Sequence, residues 1–429
     1  MRQVLKIAVL TFAAALATVR KFFSGKRSRG EISMPEDAHE EGGETGLKHI
    51  FWTTAKYFAA FMVLMTLGGF LIAATGIIPI KASSGHWAVT RWFLQFSKQR
   101  SVATHTLGIE SPSLNEPRLV LKGAGAYENN CRACHGSPSL QYPRVAQQMT
   151  PQPPYLPATI PTWEAEELFY IVKHGIKFTG MPAWPARQRD DEVWAMAAFL
   201  QRFPSLKDDE YRRLVSGDLA MSGEAVSIGG LERPEPRIVV TNCARCHGLD
   251  GLGRGLGAFP RLAGQQVRYL DLSLQAYAKS ERHSGIMGPI AAGLSIDEMS
   301  ELARYYSGLS KLPPSPTMPE AASAIERGSV IALQGIPARR IPACVACHGP
   351  SDITRNPVYP TLAGQYADYL ILQLELFKNE SRGGTAYAHL MRAFATRLSP
   401  DQMRDVALYY ASLTSHDLSS QTDKSMLSK

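Results

Sequence analysis

The sequence lacks any long block of lysine or arginine, and it lacks cysteine outside three short motifs. Its 46 basic and 38 acidic residues leave a net charge of +8 over 429 residues. So small an excess, without long basic blocks, argues against a surface that binds nucleic acid. We therefore expect no nucleic-acid partner. Apolar residues make up 45% of the chain, which is ordinary for a globular protein that buries a core.

All six cysteines belong to one repeated pattern, C-x-x-C followed at once by histidine. The three copies are Cys131-Arg-Ala-Cys134-His135, Cys243-Ala-Arg-Cys246-His247 and Cys344-Val-Ala-Cys347-His348. No cysteine is left for a structural disulfide. This is the attachment signature of c-type haem: two thiols on one helical turn bond the two vinyl groups, and the histidine lies under the iron. The pattern predicts three covalently bound c-type haems, each with its motif histidine as proximal iron ligand.

Two other uses of a C-x-x-C pair fit less well. A structural zinc site needs four ligands, and three half-sites do not pair evenly. A thioredoxin-like redox motif belongs in a βαβ pattern, which the sequence around these motifs does not have. Covalent haem attachment is therefore the favoured interpretation.

One apolar segment, Tyr57–Ile80, is uncharged and long enough to span a bilayer, which takes about 20 residues. Haem is attached outside the cytoplasmic membrane, so the motifs must lie outside and the preceding residues inside. A basic stretch before the segment fits that orientation: Arg20, Lys21, Lys26, Arg27 and Arg29. We predict a cytoplasmic segment at 1–56, a single transmembrane anchor at 57–80, and periplasmic haem domains at a bacterial inner membrane.

A shorter apolar run, Ile7–Val19, is similar to a signal-peptide core, with Ala15-Leu16-Ala17 as a possible cleavage site. Cleavage there would put the haem motifs on the wrong side, so an uncleaved anchor is favoured. Two alternatives stay open: the first run lies on the membrane, or the chain starts at Met34.

The C-terminal half contains an internal repeat. The strings PRLAGQQVRYLDLSL from Pro260 and PTLAGQYADYLILQL from Pro360 align at a constant offset of one hundred residues without a gap. Each copy continues into a second matching string, LSIDEMSELARYYSGL from Leu294 and LSPDQMRDVALYYASL from Leu398. Units this long, in only two copies, indicate duplication of a whole domain and not a solenoid.

The second string of each copy predicts a capped amphipathic helix. Ser295 with Glu298, and Ser399 with Gln402, form capping-box patterns. The apolar positions follow the helical spacing i, i+3, i+4, i+7: Met299, Leu302, Ala303 and Tyr306 in one copy, and Met403, Val406, Ala407 and Tyr410 in the other.

The first haem domain diverges from this pair. It begins GAGAYENNCRACHG, continues through GIKFTGMPAW, and closes with a helix whose apolar stripe is Val193, Met196, Ala197 and Leu200. The predicted fold class is all-α: one N-terminal transmembrane helix followed by three haem domains. Their predicted bounds are 116–204, 231–310 and 321–414, with connectors at 205–236 and 311–320 and a polar tail after 414.

The layout of each unit resembles class I cytochromes c. Residues from about 235 to 415 look like the two-haem c4-type cytochromes, which carry the LAGQ and LS…M…A-x-YY strings quoted above. The first domain resembles single-haem units with a G-M-P-x-W ligand loop, a looser match. The resemblance implies that Pro260 and Pro360 accept a hydrogen bond from the proximal histidines; the equivalent proline of the first domain stays open.

The same resemblance implies a methionine as distal ligand, which raises the reduction potential relative to a second histidine. The candidates lie before each closing helix: Met181, Met287 and Met391. Rival ligands are His174, His283 and His389, with Met149 a more distant rival for the first haem. Tyrosines are candidates for bonds to haem propionates, with core packing as the alternative: Tyr269, Tyr369, Tyr305, Tyr306, Tyr409 and Tyr410.

A methionine as sixth ligand on every iron leaves no open position for a substrate, so we predict an electron carrier and not an enzyme. The expected partners are the membrane, a quinol-oxidising complex or dehydrogenase as electron donor, and a terminal oxidase as acceptor. One alternative is the tri-haem subunit of a periplasmic alcohol or sugar-acid dehydrogenase. A haem peroxidase is the second alternative, and it requires a five-coordinate iron.

Overall fold

The computed structural model describes residues 42–140, 143–216, 238–310, 321–349 and 355–413. Predictions for the run Ile7–Val19, the connector 311–320 and the tail after 414 lie outside these residues. The described residues are helical and contain no β-strand, which confirms the predicted all-α class. They form two compact units, one ending at Gly85 and the other beginning at His86.

Helix α1, Gly42–Ala74, dominates the described part of the first unit. Within it Phe51–Ala74 is long and apolar enough to cross a membrane, with a mean hydropathy of 2.0. The predicted anchor 57–80 overlaps this stretch, but the helix ends at Ala74. Gly76 follows with a φ of 68°, the left-handed conformation that terminates helices, and Pro79 cannot continue the ladder.

The second unit opens with α2, Ala88–His105, followed by the first haem domain. The helices of that domain are α3 (Pro117–Asn130), α4 (Arg132–His135), α5 (Ala165–His174), α6 (Asp190–Arg202) and α7 (Asp208–Ser216). Single-turn helices occur at Arg144–Gln147 and Leu156–Thr159.

Helices α3 and α6 cross at close range in the first domain. A Cβ atom at Gly123 would collide with the Ala195 carbonyl and the Phe199 side chain, so only glycine permits this approach. Tyr127 lies beside the crossing with its ring centroid 5.2 Å from that of Phe199, and its hydroxyl donates to the Gly136 carbonyl at 2.9 Å. The predicted stripe of α6 is fully buried in this core, which confirms it.

The prediction that 205–236 is only a connector is wrong for its first part. Residues 208–216 form α7, which packs onto α3 and closes the core. Tyr211 and Val215 are buried there, and the Tyr211 hydroxyl donates to Glu128 at 2.6 Å. The i, i+4 spacing of these two residues between charged neighbours is the signal of a short amphipathic helix.

The duplicated domains share the order of their last four helices. The second domain has α8 (Ala244–His247), α9 (Val267–Ala278), α10 (Met287–Ala292) and α11 (Ile296–Ser307), with a π-helical turn, Val239–Cys243, before α8. The third has α12 (Ala322–Gln334), α13 (Val345–His348), α14 (Ala367–Lys378), α15 (Ala388–Ala395) and α16 (Pro400–Ser412). Both predicted capping boxes are present, and the predicted stripes of α11 and α16 are buried.

Candidate haem sites

The second and third motifs place their histidines in the same way. Helices α8 and α13 start directly after the first cysteine of each motif, so the histidine follows one turn later. Nδ1 of His247 lies 3.2 Å from the Pro260 carbonyl oxygen, and Nδ1 of His348 lies 2.9 Å from that of Pro360. Burial lowers the pKa of His247 to about 4, against the opposing effect of the proline carbonyl. A neutral ring that donates through Nδ1 presents the Nε2 lone pair to a metal.

The first motif differs in this respect. Burial lowers the pKa of His135, and the Pro154 carbonyl is the backbone group that opposes the shift. Nδ1 of His135 is nevertheless buried without a hydrogen bond of ordinary geometry in the described residues. Pro154 is therefore the candidate in the first domain for the proline whose carbonyl accepts from the motif histidine, as Pro260 and Pro360 do in the other two.

The thiols are not arranged for thiolate chemistry. None of the six forms a disulfide. Burial raises the pKa of Cys131 and of Cys243 to about 12, the neighbouring motif cysteine adding to the effect in each case. A reactive or metal-binding cysteine has the opposite shift, so the environment suits cysteines that are consumed in thioether bonds.

One cavity of about 340 Å³ connects the second and third motifs. Both motif histidines and all four cysteines of these motifs line it: Cys243, Cys246, His247, Cys344, Cys347 and His348. Most of the remaining surface is apolar, and leucine is the most frequent residue in it. The Tyr410 hydroxyl also lies on this wall, buried and without a hydrogen-bond partner among the described residues. A largely apolar cavity lined by paired cysteines and a histidine fits a haem.

The candidate methionines, and not their histidine rivals, lie on this cavity. Met287 and Met391 line it. His283 instead directs Nδ1 towards the Ser381 carbonyl at 3.3 Å, and His389 is exposed with Nδ1 against the Ala386 carbonyl. The geometry therefore favours methionine as the distal ligand in both duplicated domains.

In the first domain two methionines stay in competition. The Met149 side chain packs against Gly180, directly beside Met181. His174 is exposed and its ring packs against Tyr170, with 4.5 Å between centroids. Met149 and Met181 are both candidates for the distal ligand of the first haem, and His174 is less favoured than either.

Two buried arginines, which the sequence analysis did not single out, lie in the cavity wall. Arg282 and Arg382 occupy equivalent positions of the repeat, and within the described residues neither has a carboxylate partner. Arg282 donates to the hydroxyls of Tyr269 at 3.3 Å and Tyr369 at 3.2 Å, and Nε of Arg382 has no partner. Burial alone would raise the pKa of Tyr269, but the guanidiniums lower it to about 8.

Buried cations without anions indicate a missing anionic ligand. Haem carries two propionates, so Arg282 and Arg382 fit as propionate donors, with Tyr269 and Tyr369 alongside them. The sequence contains a signal for these two arginines: they are one hundred residues apart, the offset of the repeat, so both copies have arginine at this position.

The repeated glutamine of LAGQ joins the two duplicated domains reciprocally. Gln265 donates to the Thr361 carbonyl at 2.9 Å and accepts from its amide at 2.8 Å. Gln365 makes the same pair of bonds with Arg261, both at 3.0 Å. These partners directly follow the two prolines that hold the proximal histidines, so the interface is symmetric and rigid where the candidate ligands sit.

The second motif is also in direct contact with α3, the helix that leads into the first motif. The Cys246 Sγ atom packs on the backbone of α3 at Gly125, where a Cβ atom would lie 2.9 Å from it. Nη1 of Arg245 donates to Asn129 at 3.1 Å. Gly125 precedes Cys131 by six residues, roughly 9 Å along a helix axis. The first and second motifs, which are the candidate attachment sites, are therefore near neighbours.

A buried carboxylate from the first domain holds the loop before Met287. Glu192 on α6 is 2% exposed. It accepts from the Ser284 hydroxyl and the Gly285 amide, both at 2.6 Å, and from Trp184 at 3.1 Å. Arg189 lies 3.0 Å from it and also donates to the His283 carbonyl. The candidate ligand loop of the second domain is thus fixed by side chains of the first.

Comparison with known proteins also separates the first haem domain from the two duplicated domains. The family described as "Cytochrome c" matches residues 236–310 and 326–414, and "Cytochrome C oxidase, cbb3-type, subunit III" matches 118–200. The thiosulfate dehydrogenase electron acceptor of Thiomonas intermedia is 36% identical over 40% of this chain and 77% of its own. Cytochrome c-552 of Acidithiobacillus ferridurans is 34% identical over 47% of this chain and 86% of its own. Cytochrome c4 of Thiocapsa roseopersicina is 33% identical over 40% and 87%.

The chain belongs to the cytochrome c family. It is a multihaem class I cytochrome c with a c4-like C-terminal part, as its motifs indicated. This cytochrome is therefore an electron-transfer protein that binds c-type haem covalently. The number of haems, the individual iron ligands and the exact domain bounds remain predictions.

Replacing Arg282 by methionine should lower the reduction potential of the c4-like part by on the order of tens of millivolts, because a buried positive charge favours the electron-rich form. Spectroelectrochemical titration measures this shift. Arg268→Met is the control, since that arginine is largely exposed and paired with Asp271. Equal potentials in both variants would contradict a role for Arg282 at the cofactor.

Proposed function

We propose that this cytochrome is a membrane-anchored, three-haem electron carrier on the periplasmic face of a bacterial inner membrane. Electrons enter the c4-like pair from a periplasmic dehydrogenase and leave through the first domain towards a terminal oxidase. Haem supplies the one-electron chemistry when bound. The chain supplies the anchor, the dry cavity and the ligands that keep iron closed to substrates.

The observation that carries the proposal is the continuity of the three motifs. Cys246 of the second motif packs on α3, the helix that leads into the first motif. The second and third motifs share one cavity wall. Electron transfer needs closely spaced redox centres. These contacts place the second candidate haem site next to both the first and the third.

The names of the relatives support a dehydrogenase as donor. Two relatives, from Thiomonas intermedia and Stutzerimonas stutzeri, are each called thiosulfate dehydrogenase electron acceptor, and each matches 40% of this chain. A thiosulfate dehydrogenase is therefore the first donor to test. The likeness of residues 118–200 to a cbb3-type oxidase subunit supports an oxidase on the other side. Helix α1 supports the anchor by its length and apolarity.

Two double variants test the proposed direction. C344A/C347A removes the third attachment site, and C131A/C134A removes the first. Thiosulfate with a thiosulfate dehydrogenase should reduce C131A/C134A at the wild-type rate, and C344A/C347A on the order of tenfold more slowly, because its entry site is lost. Oxidation by oxidase-containing membranes should show the reverse. Stopped-flow absorbance of the haems follows both steps.

The control for each variant is its own haem content, which must stay at two per chain. Wild-type rates in both variants would remove the proposed direction. Reduction only after stable co-purification with the dehydrogenase would instead make the chain a subunit of that enzyme.

A further inference from the structure

Helix α2 carries an aromatic face that no described part of the second unit covers. Val89, Trp92, Phe93 and Phe96 lie within about 100° of one another around the helix axis, and each is exposed, Trp92 to 65%. The rings of Trp92 and Phe96 stack on each other, 5.8 Å between centroids. Isolated apolar residues on a surface need no explanation, but a continuous aromatic face does.

The opposite side of α2 is attached to the first haem domain. Val102 is buried, and its neighbour one turn earlier, Lys98, extends over the Trp163 ring at 5.6 Å. Burial lowers the pKa of Lys98. His105 stacks on Tyr170 of α5 at 5.6 Å. The helix is therefore fixed with its aromatic face outward, the reverse of the usual arrangement of a surface helix.

The charge of this region has one sign. Between Glu44 and Glu110 the sequence contains no aspartate or glutamate. It contains six basic residues in that interval: Lys48, Lys56, Lys81, Arg91, Lys98 and Arg100. A basic helix with tryptophan and phenylalanine on one face has the composition of an element that binds anionic lipid at the interface.

The position of α2 along the chain limits what can cover it. It begins at Ala88, and the apolar stretch of α1 ends at Ala74. The residues between them span at most about 45 Å when fully extended. If α1 crosses a membrane, this tether keeps the start of α2 within about 45 Å of the end of the apolar stretch, a distance that allows contact with the lipid surface.

From these observations we infer that α2 lies in the headgroup region of the membrane, with its aromatic face towards lipid. The inference rests on the proposed anchoring by α1. It adds a second membrane contact, which holds the first haem domain, and not the c4-like pair, against the lipid surface. That orientation presents the first domain to partners embedded in the membrane.

Lipid photolabelling of the full-length holoprotein tests this placement. The protein is reconstituted in nanodiscs of phosphatidylcholine and phosphatidylglycerol that contain a carbene-generating lipid, illuminated, and digested with trypsin. Cleavage after Arg91 and Lys98 releases residues 92–98, which contain the three aromatic residues of this face, Trp92, Phe93 and Phe96. Residues 57–81 report on the anchor, and residues 101–118 are the control from the same region. Lipid adducts are counted by mass spectrometry.

The inference predicts on the order of tenfold more lipid adduct on 92–98 than on 101–118. Labelling of 57–81 alone would overturn it and would leave the proposed anchor intact, as expected if another protein covers the face. Labelling of 92–98 without 57–81 would support it while removing the anchor from the proposed function. Absence of label from 57–81 and from 92–98 would contradict both the proposed anchor and the inference about α2.

Discussion

Replacing Glu192 by alanine should lower the free energy of unfolding of the haem-domain unit by about 3 kcal/mol, because removing one partner of a buried ion pair leaves the other uncompensated. Arg189 would keep Asp191 as a partner, with 2.7 Å between Nε and Oδ1, so the lower end of the usual range applies. Denaturant titration followed by far-UV circular dichroism measures the change.

The same substitution should alter one haem in particular. Ser284 accepts from the Met287 amide at 3.0 Å, and its own hydroxyl donates to Glu192. Loss of the carboxylate frees this loop, so we expect weakened methionine ligation at the second site and a lower potential for one haem. Glu192→Gln should restore part of the stability, since its carbonyl still accepts from Trp184 and the Gly285 amide.

Glu301→Ala is the matched control, because Glu301 is an exposed glutamate on α11 of the second domain. Its stability and haem spectrum should equal those of the wild type. If Glu192→Ala also left the ligation of all haems unchanged, the carboxylate would be a packing element only, and coupling between the first domain and the Met287 loop would be excluded.

Short-range patterns were predictable from the sequence. The capping boxes of α11 and α16 involve residues three positions apart, and their buried stripes follow from helical periodicity alone. The hydrogen bonds from His247 to Pro260 and from His348 to Pro360 were implied by family resemblance, and the structure contains both.

Contacts between domains could not be predicted in this way. Glu192 meets Ser284 and Gly285 across more than ninety residues, and no local pattern distinguishes it from the charged residues around it. Cys246 on Gly125 is a similar case. The aromatic face of α2 could not be predicted for another reason. Apolar residues at helical spacing normally indicate a buried face, but those of α2 are exposed in the second unit.

The cysteine motifs give the largest expected effect. In a host that matures c-type cytochromes, the wild type should carry three haems per chain and C243A/C246A two. The pyridine haemochrome absorbance per chain measures this number, and intact mass checks it. An unchanged haem content after loss of both thiols would exclude covalent attachment at the second site.

Loss of the second haem should also destabilise the chain more than loss of the first. The second motif contacts both neighbours, through Cys246 on α3 and through the cavity that it shares with the third motif. An emptied cavity costs packing energy in proportion to its volume, and here that volume borders two domains. C131A/C134A leaves this shared cavity filled. The denaturant midpoint of C243A/C246A should therefore lie below that of C131A/C134A, and the opposite order would mean that the three domains fold without support from one another.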